Sequence, residues 1–133
     1  MTPERFELVL QVYDAMNRRD IEALRELGRR YPDYTWRNAP DMLDTAERDS
    51  ASGLDYVEEE VFGAFDRNHT EIEQVVDIDP ETAALVVRHR VRGAISGAEG
   101  ERREVHLWRV RADGSVTLQE FLTLEEGRAA AIE

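Results

Sequence analysis

The stretch Thr82–Thr123 constrains the fold most. It holds three runs in which apolar and polar residues alternate: TAALVVRHRVRGAIS, REVHLWRVR and SVTLQEFLT. Alternation at period two marks strands with one buried face. Two turn signals separate the runs, Gly97-Ala98-Glu99-Gly100 and Asp113-Gly114, so the three strands read as an antiparallel meander. On the apolar face the pattern also places His89, His106 and Glu120. A carboxylate there is costly unless something pairs with it, which makes Glu120 the first candidate for chemistry. The register decides this: a slip of one residue would expose Glu120 and bury Gln119 and Phe121 instead.

The rest of the chain supplies walls for that sheet. Thr2-Pro3-Glu4 is a helix start, with Pro suited to the first turn and Glu to the positive end of the dipole. Phe6, Val9, Leu10, Tyr13 and Met16 then fall on one helical stripe, ended by Asn17-Arg18-Arg19. Asp20 caps a second helix that buries Ile21, Leu24 and Leu27 and stops at Gly28. Tyr34–Asn38 reads as a short strand before Ala39-Pro40, with Tyr34, Trp36 and Asn38 on one face. Asp41–Ser52 is polar and aperiodic, a loop. Gly53-Leu54 leads into a third helix with Leu54, Val57, Val61, Phe62 and Phe65 on its apolar side, and His69–Asp79 into a strand. After the meander, Thr123-Leu124-Glu125-Glu126 is a capping box opening a short C-terminal helix. Helices grouped early and strands grouped late give an α+β domain spanning 1–133, its helices on one face of a curved sheet. A cavity between the two layers is expected, lined by the meander's inner face.

Charge and composition exclude several roles. Among 133 residues, 17 Lys and Arg stand against 29 Asp and Glu, a net charge of −12. Such a chain is repelled by phosphate backbones and anionic membranes, so neither nucleic acid nor membrane is an expected partner. The absence of cysteine removes disulfides, thiolate metal sites and thiol nucleophiles, and suits a cytoplasmic location. The opening MTPERFELVL carries charges where a signal peptide would be apolar, and no apolar run approaches the ~20 residues of a membrane helix. No glycine loop that would cradle a phosphate is present, so no cofactor is implied. His69, His89 and His106 lie on three different elements without the close spacing of common metal pairs, so no metal site is assigned.

Taken in order, several short stretches resemble the nuclear transport factor 2-like cone fold, and within it the SnoaL-like branch. They are Asn17–Leu24 between the first two helices, Tyr34–Pro40 at the first strand and Gly53 before the third helix. Arg88-His89-Arg90 with Gly93, Ser96-Gly97, His106-Leu107-Trp108 and Asp113-Gly114 follow in the meander. The resemblance implies a cone-shaped, mostly antiparallel sheet packed on N-terminal helices around one cavity. It also implies a homodimer through the outer sheet face, where Arg88, Arg90 and Arg92 fall. Its members include polyketide cyclases, ketosteroid isomerases, epoxide hydrolases and non-catalytic transport factors, so fold does not fix function.

Residue by residue, the resemblance narrows the chemistry. Ketosteroid isomerases carry an Asp base near the end of the first strand; the matching residue here is Asn38, an amide without an accessible pKa. Tyr13 matches their helical oxyanion donor. Limonene-type epoxide hydrolases hold water with Tyr-x-Asn on the first strand and an Asp on the last, completed by Arg-x-Asp on a middle strand. Trp36-Arg37-Asn38 and Glu120 are similar to the first two pieces, whereas Arg88-His89-Arg90-Val91-Arg92 offers no acid for the third. SnoaL-type cyclases rely on a cavity acid, for which Glu120 is suited because burial raises a carboxyl pKa. The expected catalytic set is Glu120, His106 and Asn38, with Tyr13, Trp36, Phe62, His89 and Trp108 as ligand-binding lining. The expected function is binding of a small apolar, polyketide- or terpenoid-like ligand. It extends to cofactor-free lyase, isomerase or hydrolase chemistry; the opposing reading is a non-catalytic binding module.

Overall fold

The computed structural model describes residues 1–42 and 45–132. Helix α1 (Pro3–Asn17) and helix α2 (Ile21–Arg30) form the first wall. Thr2 makes no side-chain cap; its backbone N–H instead donates to Pro80 O at 3.0 Å. α1 buries Leu8, Val9, Tyr13 and Ala15, while Leu10, placed on the stripe by sequence, is 38% exposed. Asp20 caps α2 as expected, accepting from Ala23 N–H at 3.0 Å. Arg19, at φ 56°, makes the left-handed step between the helices. α2 runs through Gly28, which packs beside Leu54, and ends where Pro32 follows Tyr31.

Strand β1 (Tyr34–Arg37) is followed by a segment that returns to it: Trp36 and Arg48 exchange backbone hydrogen bonds of 2.8 and 2.7 Å. Leu43 and Asp44, part of the expected loop, lie outside the described residues. The third helix begins earlier than Gly53. α3 (Ser50–Tyr56) is opened by a capping box in which Asp49 and Ser52 hold each other's backbone N–H groups. It continues as a π-helical turn (Val57–Val61) and a last short turn, α4 (Phe62–Ala64).

Four long strands follow, β2 (Phe65–Asp79), β3 (Thr82–Gly93), β4 (Glu99–Val110) and β5 (Val116–Phe121), then helix α5 (Leu124–Ile132). The sheet order is β1-β5-β4-β3-β2, with β1 parallel to β5 and the other neighbours antiparallel. β2 starts four residues before the expected His69, and irregularities near Phe65, Ile72 and Asp77 break its alternation. Such bulges bend and twist a sheet.

Register settles which residues face inward. Leu85 lies opposite His106, and His106 opposite Glu120. Ala83, Leu85, Val87, Trp108, Val110, Val116 and Leu118 form one core with Leu8, Val9 and Tyr13 of α1. The outer face holds a second core of Ala84, Val105, Leu107 and Phe121, packed against Leu124, Ala130 and Ala131 of α5. Gly127 permits this close approach: a Cβ there would meet Val105 Cγ1 at 3.0 Å. The chain's own C-terminal helix thus occupies part of the surface that the sequence reading gives to a second subunit. Beyond it, the arginine stripe is matched by acids: Arg88 contacts Glu73 and Glu101 at 3.0 and 3.1 Å, and Arg92 contacts Asp66 at 2.7 Å. Among the described residues no helix is long and apolar enough to cross a membrane.

Candidate active site

Between the inner sheet face and the helices lies a pocket of about 480 Å³. Helices α1 to α3 contribute Leu8, Val12, Leu24, Leu27 and Leu54, and the sheet contributes Tyr34, Trp36 and Trp108. This lining is mostly apolar. Polar side chains border it on β2, at Asn68 and Thr70, and in a buried cluster where β4 and β5 lie side by side.

Glu120 is there, 8% exposed. Its Oε2 accepts from the Trp36 indole Nε1–H at 2.8 Å, and the Ala39 backbone N–H also bonds its carboxyl. Burial, and then the negative charge of Glu104, push its pKa up to about 8 despite these donors. His106 Nε2 stands 3.8 Å from Glu120 Oε2.

Glu104 is the residue that the sequence reading missed. It lies two positions before His106 and opposite Val87, so alternation itself puts it on the inner face. Its Oε1 is 2.6 Å from His89 Nε2 and 2.7 Å from His106 Nε2, and its Oε2 accepts from Arg102 Nε at 2.9 Å. Burial alone would raise its pKa, but the hydrogen bonds it accepts from His106 and His89 hold it well below the usual carboxylate range. Arg102 is gripped in turn by Asp41, through bonds of 2.9 and 2.7 Å to both carboxylate oxygens. The two carboxyls are therefore driven apart. Glu104 is kept ionised by its donors, and Glu120, facing that charge from a dry site, keeps its proton.

A second chain of bonds fixes His106. Trp108 Nε1–H donates to the Tyr13 hydroxyl at 2.8 Å, and that oxygen lies 2.6 Å from His106 Nδ1. Indole can only donate, so the hydroxyl hydrogen is free to go to Nδ1. His106 is then neutral with its proton on Nε2, directed at Glu104. Burial, which lowers its pKa against the pull of Glu104, agrees with the neutral form. On the far side His89 Nδ1 is 2.7 Å from Thr70 Oγ1.

The structure thus brings Glu120, His106, Asn38, Tyr13, Trp36, His89 and Trp108 to one pocket. Phe62 is the exception. It packs with the cluster around Ala15, Leu24 and Val57, and the Arg19 guanidinium lies 4.7 Å over its ring. The π-helical turn before it winds wider than an α-helix and carries Phe62 off the stripe, leaving Val57, Val61 and Phe65 at the pocket. The Arg-x-acid spacing, absent from β3, occurs on β4 as Arg102-Arg103-Glu104.

No protein-family model matches the sequence, and no curated protein matches it. Solved structures do share the fold. A nuclear transport factor 2-like protein of unknown function from Burkholderia pseudomallei is 18% identical with a TM-score of 0.72, over 94% of this chain and 95% of that one. A candidate SnoaL-like polyketide cyclase from a Jannaschia species is 19% identical with a TM-score of 0.69, over 98% and 94%. IdmH from Streptomyces antibioticus, a candidate polyketide cyclase, is 20% identical with a TM-score of 0.70, over 96% and 97%. At these identities the likeness establishes the fold: the chain has the α+β architecture of nuclear transport factor 2-like and SnoaL-like proteins.

Proposed function

We propose that this protein takes a small, largely apolar, carbonyl-bearing molecule into the pocket and moves a proton on it, with Glu120 as the proton carrier. One observation carries the reading: Glu120 is a buried carboxyl bordering a mostly apolar pocket, held in place by the Trp36 N–H and set beside the charged Glu104. A protonated carboxyl in such a site donates to a ligand oxygen, and its conjugate base can take a proton from the adjacent carbon, the two halves of enolisation or aldol closure. His106 and Glu104 hold the charge beside it, and Asn38 and the aromatic rings orient the ligand. The pocket volume falls within the range of about 300–1,000 Å³ that accepts drug-sized molecules. The candidate cyclases of the same fold support this ligand class. So does the apolar lining, which suits a polyketide- or terpenoid-like skeleton.

The opposing reading, a binding module without catalysis, has one observation in its favour: Glu120 already accepts from both Trp36 and Ala39. A single experiment separates the two. Aryl methyl ketones such as acetylnaphthalene are incubated with the protein in deuterated buffer. Binding is followed by calorimetry and exchange of the methyl protons by NMR. The proposal expects exchange that falls by about 100-fold or more in Glu120→Gln, with affinity changed little. Binding without exchange in the wild type, or exchange that survives Glu120→Gln, rejects it.

A further inference from the structure

Two imidazoles converge on one carboxylate oxygen at the pocket floor. We infer that His89 Nε2, Glu104 Oε1 and His106 Nε2 form a binding site for one divalent first-row transition-metal ion. This goes beyond the acid/base reading, which needs no metal, and it stands on different atoms.

The donor atoms lie within 4.8 Å of one another, and Glu104 Oε1 is 2.6 and 2.7 Å from the two nitrogens. Ligand atoms at ~2.0–2.1 Å from a tetrahedral zinc are about 3.3 Å apart. Entry of an ion therefore asks Glu104 to withdraw by less than about an ångström and the two imidazole nitrogens, within 4.8 Å of each other, to stand about 3.3 Å apart, adjustments made through side-chain torsions.

The surroundings have the form of a metal site's support. Each imidazole has an oxygen partner on its remote nitrogen, Thr70 Oγ1 for His89 and the Tyr13 hydroxyl for His106. Arg102 holds the second oxygen of Glu104. Such partners aim ligands and fix tautomers. All three ligands stand on paired strands rather than loops. The charge is also suitable: Asp41 balances Arg102, leaving the Glu104 carboxylate to face a cation.

Proton balance permits the exchange. In the metal-free protein both Nε2–H groups donate to Glu104. With an ion bound, each imidazole stays neutral with its proton moved to Nδ1; the Thr70 and Tyr13 hydroxyls then turn from donor to acceptor, and the Tyr13 oxygen accepts from both Trp108 and His106 with its own hydrogen turned to the pocket. Two imidazoles and one carboxylate favour zinc, cobalt, iron or nickel over magnesium or calcium. His89, Glu104 and His106 all border the pocket, so positions left open on the ion face the ligand space, with Glu120 Oε2 3.8 Å from His106 Nε2.

The test uses the full chain, stripped with chelator and shown by circular dichroism to remain folded. Cobalt(II) is titrated and followed by its visible absorption, and zinc(II) by calorimetry and by the rise in melting temperature that binding to the native state produces. One ion per chain is expected. Loss of affinity in His89→Gln and in Glu104→Gln should be at least the roughly 10–100-fold that loss of a supporting residue costs. His69→Gln, outside the cluster, should bind as wild type. His89 is only half-buried, so His89→Gln disturbs packing least and keeps the test valid if Glu104→Gln does not fold. Absence of cobalt absorption at millimolar metal overturns the inference. So does binding that survives His89→Gln or is abolished by His69→Gln.

Discussion

Replacing Tyr13 with Phe removes one oxygen and strands two buried groups. The hydroxyl accepts the Trp108 N–H at 2.8 Å and serves His106 Nδ1 at 2.6 Å. All three residues are buried: Tyr13 is 7%, Trp108 0% and His106 3% exposed. The ring itself would stay. Its stacking on His106 and its edge contact with Trp108, both at centroid separations of 5.8 Å, need no hydroxyl. The cost is therefore almost wholly polar. A buried donor or acceptor left unmet costs about 1–3 kcal/mol, so two cost about 2–6 kcal/mol. The pocket adjoins the site, and a water entering the vacated space would recover part of this, which places the expected loss at about 2–4 kcal/mol. Urea unfolding at neutral pH measures it. A double-mutant cycle with Trp108→Phe tests the cause: once the hydroxyl is gone, deleting the indole N–H also deletes an orphan, so the two losses should fall short of additivity by about 0.5–3 kcal/mol. Imidazole nitrogen shifts should show His106 as the Nε2–H tautomer in the wild type only. A loss below about 0.5 kcal/mol, or strict additivity, would refute the hydrogen-bond chain.

Two further outcomes follow from the same geometry. Glu120 faces Glu104 and His106 from β4, the Trp36 and Ala39 N–H groups from the β1 side, and Tyr13 and Tyr34 beyond. Its folded pKa of about 8 is above the unfolded 4.5, so the native state keeps a proton that the unfolded chain has released. The stability this gives is present at low pH and lost as pH rises toward 8. At about 1.4 kcal/mol per unit, the span from pH 6 to pH 8 is worth about 3 kcal/mol at most. Glu120→Gln in chelator-treated protein should therefore gain on the wild type by about 1–3 kcal/mol between pH 6 and pH 9. Comparing the two proteins removes the contribution of His106, whose lowered pKa acts in the opposite direction below 6.5. A gap that does not change with pH rejects the assignment. On the outer face, Gly127→Val should push α5 off Val105, lowering stability by about 1–3 kcal/mol while leaving pocket affinity unchanged. An unaltered melting temperature would show that α5 does not pack there as described.

The inward residues of the meander were legible because period two is a property of the chain alone. His89, His106 and Glu120 follow from it once a single apolar face is chosen. The same rule reaches Glu104, but Arg102-Arg103-Glu104 reads as a charged run near a turn. Nothing local tells that two imidazoles and a guanidinium from other positions make its burial tolerable. Asp49-x-x-Ser52 was a readable helix start hidden in a polar stretch. Phe62 could not have been placed, since a π-helical turn leaves no periodic trace and moves every residue after it. The position of α5 was signalled only by Gly127, a glycine in mid-helix whose reason is the Val105 side chain beneath it.

Residues similar to those of the hydrolase-type set sought in the sequence stand at Trp36 and Asn38 on the β1 side, at Arg102 and Glu104 on β4, and at Glu120 on β5. Its atoms nevertheless do different work. A Tyr hydroxyl can both give and accept a hydrogen bond and so can hold a water for attack; the Trp36 indole can only give, and it gives to Glu120. The acid of the Arg-x-acid pair is not a free proton donor either, since His89, His106 and Arg102 all bond it. The Trp36 position thus offers a water no acceptor, and the acid on β4 has no proton free to give. What the arrangement keeps is a carboxyl whose pKa is raised to about 8, bordering a mostly apolar pocket, and it is on this group that the proposed proton transfer rests.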